Sequence, residues 1–409
     1  MRSVLLCASL AVLACPPGAR AQSTSLNETE ALARLSADSP RVRAIRAAIE
    51  VDGADVLAAG RWPNPRLSFG REAAGGASET MTTIAQALPI TGRRGLEIES
   101  ARSLVDASRA RIDDVMRRAR ADLRLAFARL VAAQQREAEL SGTRDRLREF
   151  AETLARREAA GDAAGFDRLR AERELADVEM DLATSSLEKA RAQAVMAGFF
   201  GVSVEPLSLV ANGTATTAGR APIPDLAALM QRAEATRGEL LALGKEVEAA
   251  SFSSRAADRR NVPEPELMVG AKTTSSGTGH RGSVVAIQAV LPLFDQHRPE
   301  TARAQARANL ATARAEAFRI SLRAEVAALR MAVESRRLAG DRYRTQAVST
   351  AATLERIAQV SYEAGERSLL ELLDAYRVGA SARLRQVELD EARREAEIEL
   401  EYATGWEMP

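Results

Sequence analysis

Between Arg93 and Ala160 the chain holds no proline and only two glycines, Gly95 and Gly142. Apolar residues recur along it at helical spacing. Val115, Ala119, Leu123, Ala126 and Leu130 mark one stripe, and Leu140, Leu147 and Leu154 return every seventh residue. Such sustained spacing predicts a single long helix packed against other helices. At about 1.5 Å per residue it would extend roughly 100 Å, which predicts a rod rather than a globule.

The run ends at a glycine, and the ending is written twice. Arg157-Glu-Ala-Ala-Gly-Asp-Ala-Ala-Gly-Phe-Asp-Arg-Leu-Arg-Ala171 recurs, shifted by 204, in the stretch Val360 to Tyr376. Gly161 falls on Gly365, Asp167 on Glu371 and Leu169 on Leu373. Pro65 likewise pairs with Pro265 and Pro89 with Pro292, so the offset stays between 200 and 204 across nearly the whole chain. One structural unit has been duplicated. The first copy covers 22–201, a Pro-, Gly- and Thr-rich linker covers 202–224, and the second copy covers 225–409.

Each copy reads in the same order. Ser25 to Gly60 has helical spacing, with Ser25 or Asn27 as its cap, and Pro63 and Pro65 end it. Arg66 to Arg71 and Glu79 to Leu88 read as short strands joined by a Gly- and Ala-rich loop. The long helix follows, then a tip, then a return helix that fades at Gly198. In the second copy a helix runs from Asp225 to about Arg260, and strands run over Glu266–Lys272 and Ser283–Leu291 around a loop at 273–282. A long helix from Pro299 to Ala364 and a last helix to about Thr404 complete it. In each copy the two shorter helices together match the long one in length, so they can lie end to end beside it.

Strands of this length suit a tilted crossing of a bilayer. Four strands cannot close a barrel, and open edges are not tolerated in lipid. If the strands sit in a membrane, several chains share one barrel, and twelve strands from three chains fall within the known range.

The amino terminus carries an export signal over 1–21. Arg2 is its charged region, Val4 to Ala14 its apolar region, and Ala19-Arg-Ala21 its cleavage site. The competing reading is a lipoprotein signal, Val12-Leu-Ala-Cys15, with Cys15 acylated; Leu13 fits that pattern poorly. Both cysteines, Cys7 and Cys15, lie inside the signal, so a chain cut after Ala21 has neither disulfides nor a cysteine metal site. A net charge of +1 argues against bulk attraction to nucleic acid. Aromatic residues are only 4%, which favours long helices over a thick core. Nucleotide-binding, nucleophile-elbow and zincin motifs are absent, so no enzyme activity and no cofactor are expected.

This order of elements resembles the TolC family of outer-membrane efflux proteins. Gly365-Glu-Arg-Ser-Leu-Leu-Glu-Leu-Leu-Asp-Ala375 is similar to the family's G-x-x-S/T-x-x-D-x-L-D-A tip motif, and Val290-Leu-Pro-Leu-Phe-Asp-Gln-His297 to its strand-to-helix element. Leu88-Pro-Ile-Thr-Gly-Arg-Arg-Gly95 and the Arg/Ala-rich helix after it most resemble the CzcC-type branch, which serves heavy-metal exporters. The resemblance covers Leu26 to Trp406. It implies a mostly α fold with a small β part: a trimeric α-barrel of long helical hairpins on a shared 12-stranded outer-membrane β-barrel, four strands per chain, with an internal two-fold repeat. It implies a homotrimer in the outer membrane, reaching into the periplasm. There it would be a passive exit duct for substrates delivered by a periplasmic membrane-fusion adaptor and an inner-membrane transporter of the RND type, with heavy-metal cations as the expected cargo.

The same resemblance places acids at the closed entrance, and the matching residues are Glu371 and Asp374. Glu371 departs from the usual Asp. Asp167 is its counterpart in the first copy, but Arg170 stands where Asp374 would be. Gly161, Gly165, Asp167, Gly365 and Ser368 are the expected tip and adaptor-docking positions. The ordinary alternatives are solvated surface acids and helix-ending glycines. Three-fold symmetry would gather six carboxylates around an axis, attracting cations and raising their pKa values by mutual repulsion. His280, expected in an external loop, and His297 are the only histidines, and neither has a second ligand at a recognisable spacing, so no metal site is expected. The alternative function is a soluble periplasmic coiled-coil adaptor or structural protein; its usual single hairpin disagrees with the two seen here.

Overall fold

A computed structural model of the chain describes residues 24–35, 40–161, 165–200, 205–213, 222–275 and 279–407. The signal segment, with Cys7 and Cys15, lies outside the described residues, as does part of the linker. The order is β1 (Thr24–Leu26), α1 (Glu28–Arg34), α2 (Pro40–Ala59), β2 (Arg66–Ala74), β3 (Ala77–Ala87), α3 (Arg93–Ala159) and α4 (Gly165–Ala197). It continues with β4 (Leu209–Ala211), α5 (Leu226–Thr236), α6 (Gly238–Asp258), β5 (Pro265–Thr274), β6 (His280–Ala289), α7 (Arg298–Tyr343), α8 (Ser349–Glu363) and α9 (Leu369–Thr404). The duplicated order read from the sequence is present, with the long helix α3 and the tips where expected.

Several boundaries differ, each for a local reason. The first expected helix is two, preceded by β1; Ser25 belongs to the strand, and Asn27 is the cap, accepting from Glu30 N–H while Glu30 reaches back to the Asn27 N–H. The expected loop between the first strands is only Gly75-Gly76, both at positive φ, a two-residue hairpin turn that lets strand pairing run to Ala74 and Ala77. His280 is not in a loop: it begins β6, opposite Thr274. The second long helix begins at Arg298 and carries a π-helical turn at Arg344–Val348 between α7 and α8.

The chain forms two compact units, each drawing segments from both sequence copies. The first comprises 1–35, 126–216 and 345–391. In it β1 and β4 pair in parallel, Thr24 with Leu209 through Leu26 with Ala211. Gln134 covers the strand edge, accepting from Ala211 N–H at 2.8 Å and donating to its carbonyl at 3.0 Å, and Gln193 donates to Leu209 O at 2.8 Å. A core of Leu147, Ala151 and Leu154 (α3), Ala171 (α4) and Leu369 and Leu373 (α9) closes around the tips, with Phe150 packed edge-on against Tyr362 at 5.4 Å. Arg383 joins three helices through Glu139 at 2.9 Å and Glu355 at 3.0 Å.

The second unit comprises 36–125, 217–344 and 392–409. Leu229 and Ala233 (α5), Leu240 (α6), Leu322, Val326 and Val333 (α7) and Ala396, Leu400 and Ala403 (α9) form its core with Trp406. Each fully buried leucine there contributes about 1.5–3 kcal/mol. The expected Asp225–Arg260 helix is broken at Arg237, whose backbone is extended. Directly after the break Gly238 packs against α3: a side chain there would meet Ala110 O at 2.2 Å and Asp114 Cβ at 2.7 Å. Asp114 accepts from Gly238 N–H at 3.1 Å and from Tyr402 O–H at 3.1 Å, and the Arg237 guanidinium lies 4.1 Å over the Tyr402 ring.

The second unit also holds the four-stranded antiparallel sheet β2-β3-β5-β6. Its register aligns Leu67, Ile84, Val269 and Val285 across all four strands.

Candidate functional site

Two places carry the features that function would use: the helical tips in the first unit and the sheet in the second. At the second tip Ala364 is the C-cap of α8, and Gly365 (φ 73°) follows. Gly365 N–H donates to Tyr362 O at 3.0 Å and Glu366 N–H to Ser361 O at 2.8 Å, the paired bonds that close a helix end on a left-handed residue. Gly161 (φ 82°) repeats the inner bond, donating to Glu158 O at 2.9 Å at the end of α3. Gly165 opens α4 beneath Glu158, whose Oε1 lies 2.4 Å from where a Cβ would stand. Glu158 in turn pairs with Arg168, which also reaches Glu172 at 2.7 Å. Asp167 is half-buried in the first turn of α4.

Glu371 and Asp374 are both exposed on the first turns of α9. Glu371 is the third helical residue, and Ser368 N–H donates to its Oε2 at 3.0 Å. The Ser368 hydroxyl lies 3.2 Å from the same oxygen and 3.5 Å from Glu371 N. Arg367 Nη1 donates to Glu371 Oε1 at 2.7 Å, and Arg377 Nη2 to Asp374 Oδ1 at 2.7 Å. The Ser368 N–H, helped by its hydroxyl and by Arg367, holds the Glu371 carboxyl below the usual carboxylate range. Within one chain the expected acids are therefore ion pairs rather than bare charges. Glu at 371 suits this cap, because its longer side chain reaches back to the residue before the helix. A groove of about 430 Å³ is lined by Glu174, Val178 and Asp181 of α4 and Leu373, Tyr376 and Arg377 of α9, among others, and not by Asp374.

The sheet has two unlike faces. Leu67, Phe69, Ile84, Val269, Val285 and Ile287 share one face and are all exposed, Phe69 at 71% and Ile287 at 74%. The other carries Ser68, Thr83, Lys272 and Gln288, and Thr83 there is buried. Strands of 9, 11, 10 and 10 residues with apolar residues alternating outward match a membrane-spanning barrel segment. Among the described residues the outer edges of β2 and β6 pair with no further strand, and no helix is long and apolar enough to cross a membrane.

Sequence reasoning missed two clusters. Thr91, Arg93 and Glu264 tie the start of α3 to the start of β5: Glu264 accepts from Arg93 Nη2 at 3.0 Å and Thr91 O–H at 2.9 Å. Burial pushes the Glu264 carboxyl up, but these two donors outweigh it and the net shift is downward. Asp295, His297 and Glu300 also converge, one ligand atom from each lying within 4.8 Å of the others. Their spacing matches no standard ligand motif, and the backbone turn at His297 that gathers them is not written in the pattern.

The family profile described as Outer membrane efflux protein matches residues 229–406. The cobalt-zinc-cadmium resistance protein CzcC of Cupriavidus metallidurans is 27% identical over 347 residues, covering 83% of this chain and 81% of that protein. The nickel and cobalt resistance protein CnrC of the same organism is 27% identical over 292 residues, covering 69% and 67%. Among solved structures, the outer-membrane channel OprN superposes with a TM-score of 0.77 at 21% identity, over 92% of this chain and 89% of that one.

Proposed function

The chain belongs to the outer membrane efflux protein family, and from that premise we propose that it is the passive exit duct of a tripartite pump, working as a homotrimer. The observation that carries this reading is the sheet: an exposed apolar face flanked by two open edges. In lipid such edges must be paired, and neighbouring protomers supply the strands. The exposed Val290, Leu291, Leu293 and Phe294 beside β6 add apolar surface that an adjacent protomer would cover. The mature chain is read as two copies, 22–201 and 225–409, joined by 202–224, behind a signal over 1–21.

The substrate class we assign is heavy-metal cations, delivered by a periplasmic adaptor and an RND-type transporter. The names of CzcC and CnrC, metal-resistance proteins aligned over most of their length, support this assignment. The tips, with Gly161, Gly165, Asp167, Gly365 and Ser368, are the proposed adaptor contact, and the Glu371 and Asp374 ion pairs the proposed entrance constriction. Gentle detergent extraction of the outer-membrane fraction should yield a trimer. A water-soluble monomer would instead favour the adaptor or structural protein. Deleting the gene should lower tolerance to Zn, Cd, Co or Ni; loss of tolerance to organic drugs alone would refute the metal assignment.

A further inference from the structure

We propose that Asp295, His297 and Glu300 form a binding site for one divalent first-row transition-metal ion, Zn²⁺, Co²⁺ or Ni²⁺. The three residues lie where the chain leaves β6 and enters α7. His297 N–H donates to Asp295 Oδ1 at 3.0 Å, and the same oxygen lies 4.0 Å from His297 Nδ1, so carboxylate and imidazole are held side by side. A four-coordinate ion with bonds of about 2.0–2.1 Å needs donors roughly 3.4 Å apart. The three donor atoms lie within 4.8 Å of one another, so binding would draw them closer together.

An independent observation points to a missing partner. Glu300 Oε2 is buried with no hydrogen-bond donor, and the adjacent Thr301 Oγ1 is likewise unpartnered. A buried carboxylate oxygen left without a donor is costly, and a cation between Glu300 and His297 would satisfy it. The backbone agrees. His297 has φ 50°, alone among the described non-glycine residues in being positive, and its side chain makes no cap bond to the helix it precedes. The residue just before α3 is Gly92, at φ 75°. The second copy thus holds histidine in a conformation that costs a side chain about 1–2 kcal/mol and glycine nothing.

The ordinary explanation is that Asp295 and Glu300 complement the positive end of α7. It accounts for the two acids and not for the histidine held at positive φ beside them. One imidazole with two carboxylates suits Zn²⁺, Co²⁺ or Ni²⁺, whereas all-oxygen sites suit Mg²⁺ or Ca²⁺. The bound ion would tie the segment after β6 to the first turn of α7. The site stands whether or not the duct carries metal.

The test is Co²⁺ titration of the full detergent-purified chain, without a polyhistidine tag, followed by visible absorption. One Co²⁺ per chain should give a ligand-field band. His297→Ala and the near-isosteric Glu300→Gln should each weaken binding by at least about tenfold, the lower bound set by loss of outer-shell partners. His280→Ala, removing the other histidine, should leave the band unchanged, and unchanged circular dichroism shows that each variant folds. Absence of the band, full binding in either His297→Ala or Glu300→Gln, or equal loss in His280→Ala would overturn the proposal.

Discussion

Ser368 and Glu371 cap α9 reciprocally: the Ser368 N–H donates to Glu371 Oε2 at 3.0 Å, and the Ser368 hydroxyl stands 3.5 Å from Glu371 N. This local bond explains why the tip helix starts where it does, one turn after the Gly365 reversal. Ser368→Ala should speed amide hydrogen exchange several-fold over residues 369–372, while Ser368→Asn, another good cap, should not. The pH dependence has a definite sign. Because the folded Glu371 pKa is depressed, its contribution is complete above the unfolded value of about 4.3 and is lost as pH falls through the lower folded value. Wild type and Glu371→Gln should therefore differ in exchange at pH 7 and converge only in stronger acid. A gap that persists there would show that the carboxylate is not the stabilising group.

Neutralising the tip acids should change permeation rather than assembly. Glu371→Gln with Asp374→Asn removes two carboxylates per chain and leaves Arg367 and Arg377 without those partners. In planar bilayers the double variant should stay trimeric, leak more and lose cation preference. Unchanged conductance and selectivity would remove these residues from the constriction.

Arg383 is the ionic centre of the first unit. It is only 20% exposed, and Glu355 beside it 13%. Arg383→Met leaves that carboxylate largely buried and unpaired, which should cost about 3 kcal/mol in denaturant unfolding. Adding Glu355→Gln should recover most of the loss; two fully additive losses would mean the residues act separately.

The two faces of the sheet should respond oppositely to charge. Phe69→Arg or Ile287→Arg, on the exposed apolar face, should block outer-membrane assembly, since a mid-bilayer Arg costs about 2–4 kcal/mol. Ser68→Arg, on the opposite face, should be tolerated. Equal tolerance of all three, read by heat-modifiable mobility and fractionation, would contradict a lipid-facing band.

Gly238→Ala tests the break between α5 and α6. The added methyl meets Ala110 O and Asp114, so α3 must shift, at about 1–3 kcal/mol. An unchanged melting temperature would mean that the close approach is not required.

Much of the fold was legible because its information is local. The stripe through Leu123 and Leu130, the leucines at 140, 147 and 154, and the glycines at 161 and 365 each encode a face or a stop within a few residues. The strand pairs were recognisable from alternation, although Gly75-Gly76 proved a tighter turn than composition suggested. The candidate tip was legible as a motif; that its acids are ion-paired was not, since Arg367 and Arg377 flank them in a pattern equally consistent with solvated charges.

The amino-acid sequence by itself determined the duplicated order of helices and strands, the helix ends and the alternation of the membrane face, because each follows from the chemistry of neighbouring residues. Tertiary structure alone decided the β1–β4 pairing, the break at Arg237, the Arg383 ion cluster and the meeting of Asp295, His297 and Glu300. Those features arise where distant segments approach or a single backbone angle turns a side chain, and neither is written in periodicity.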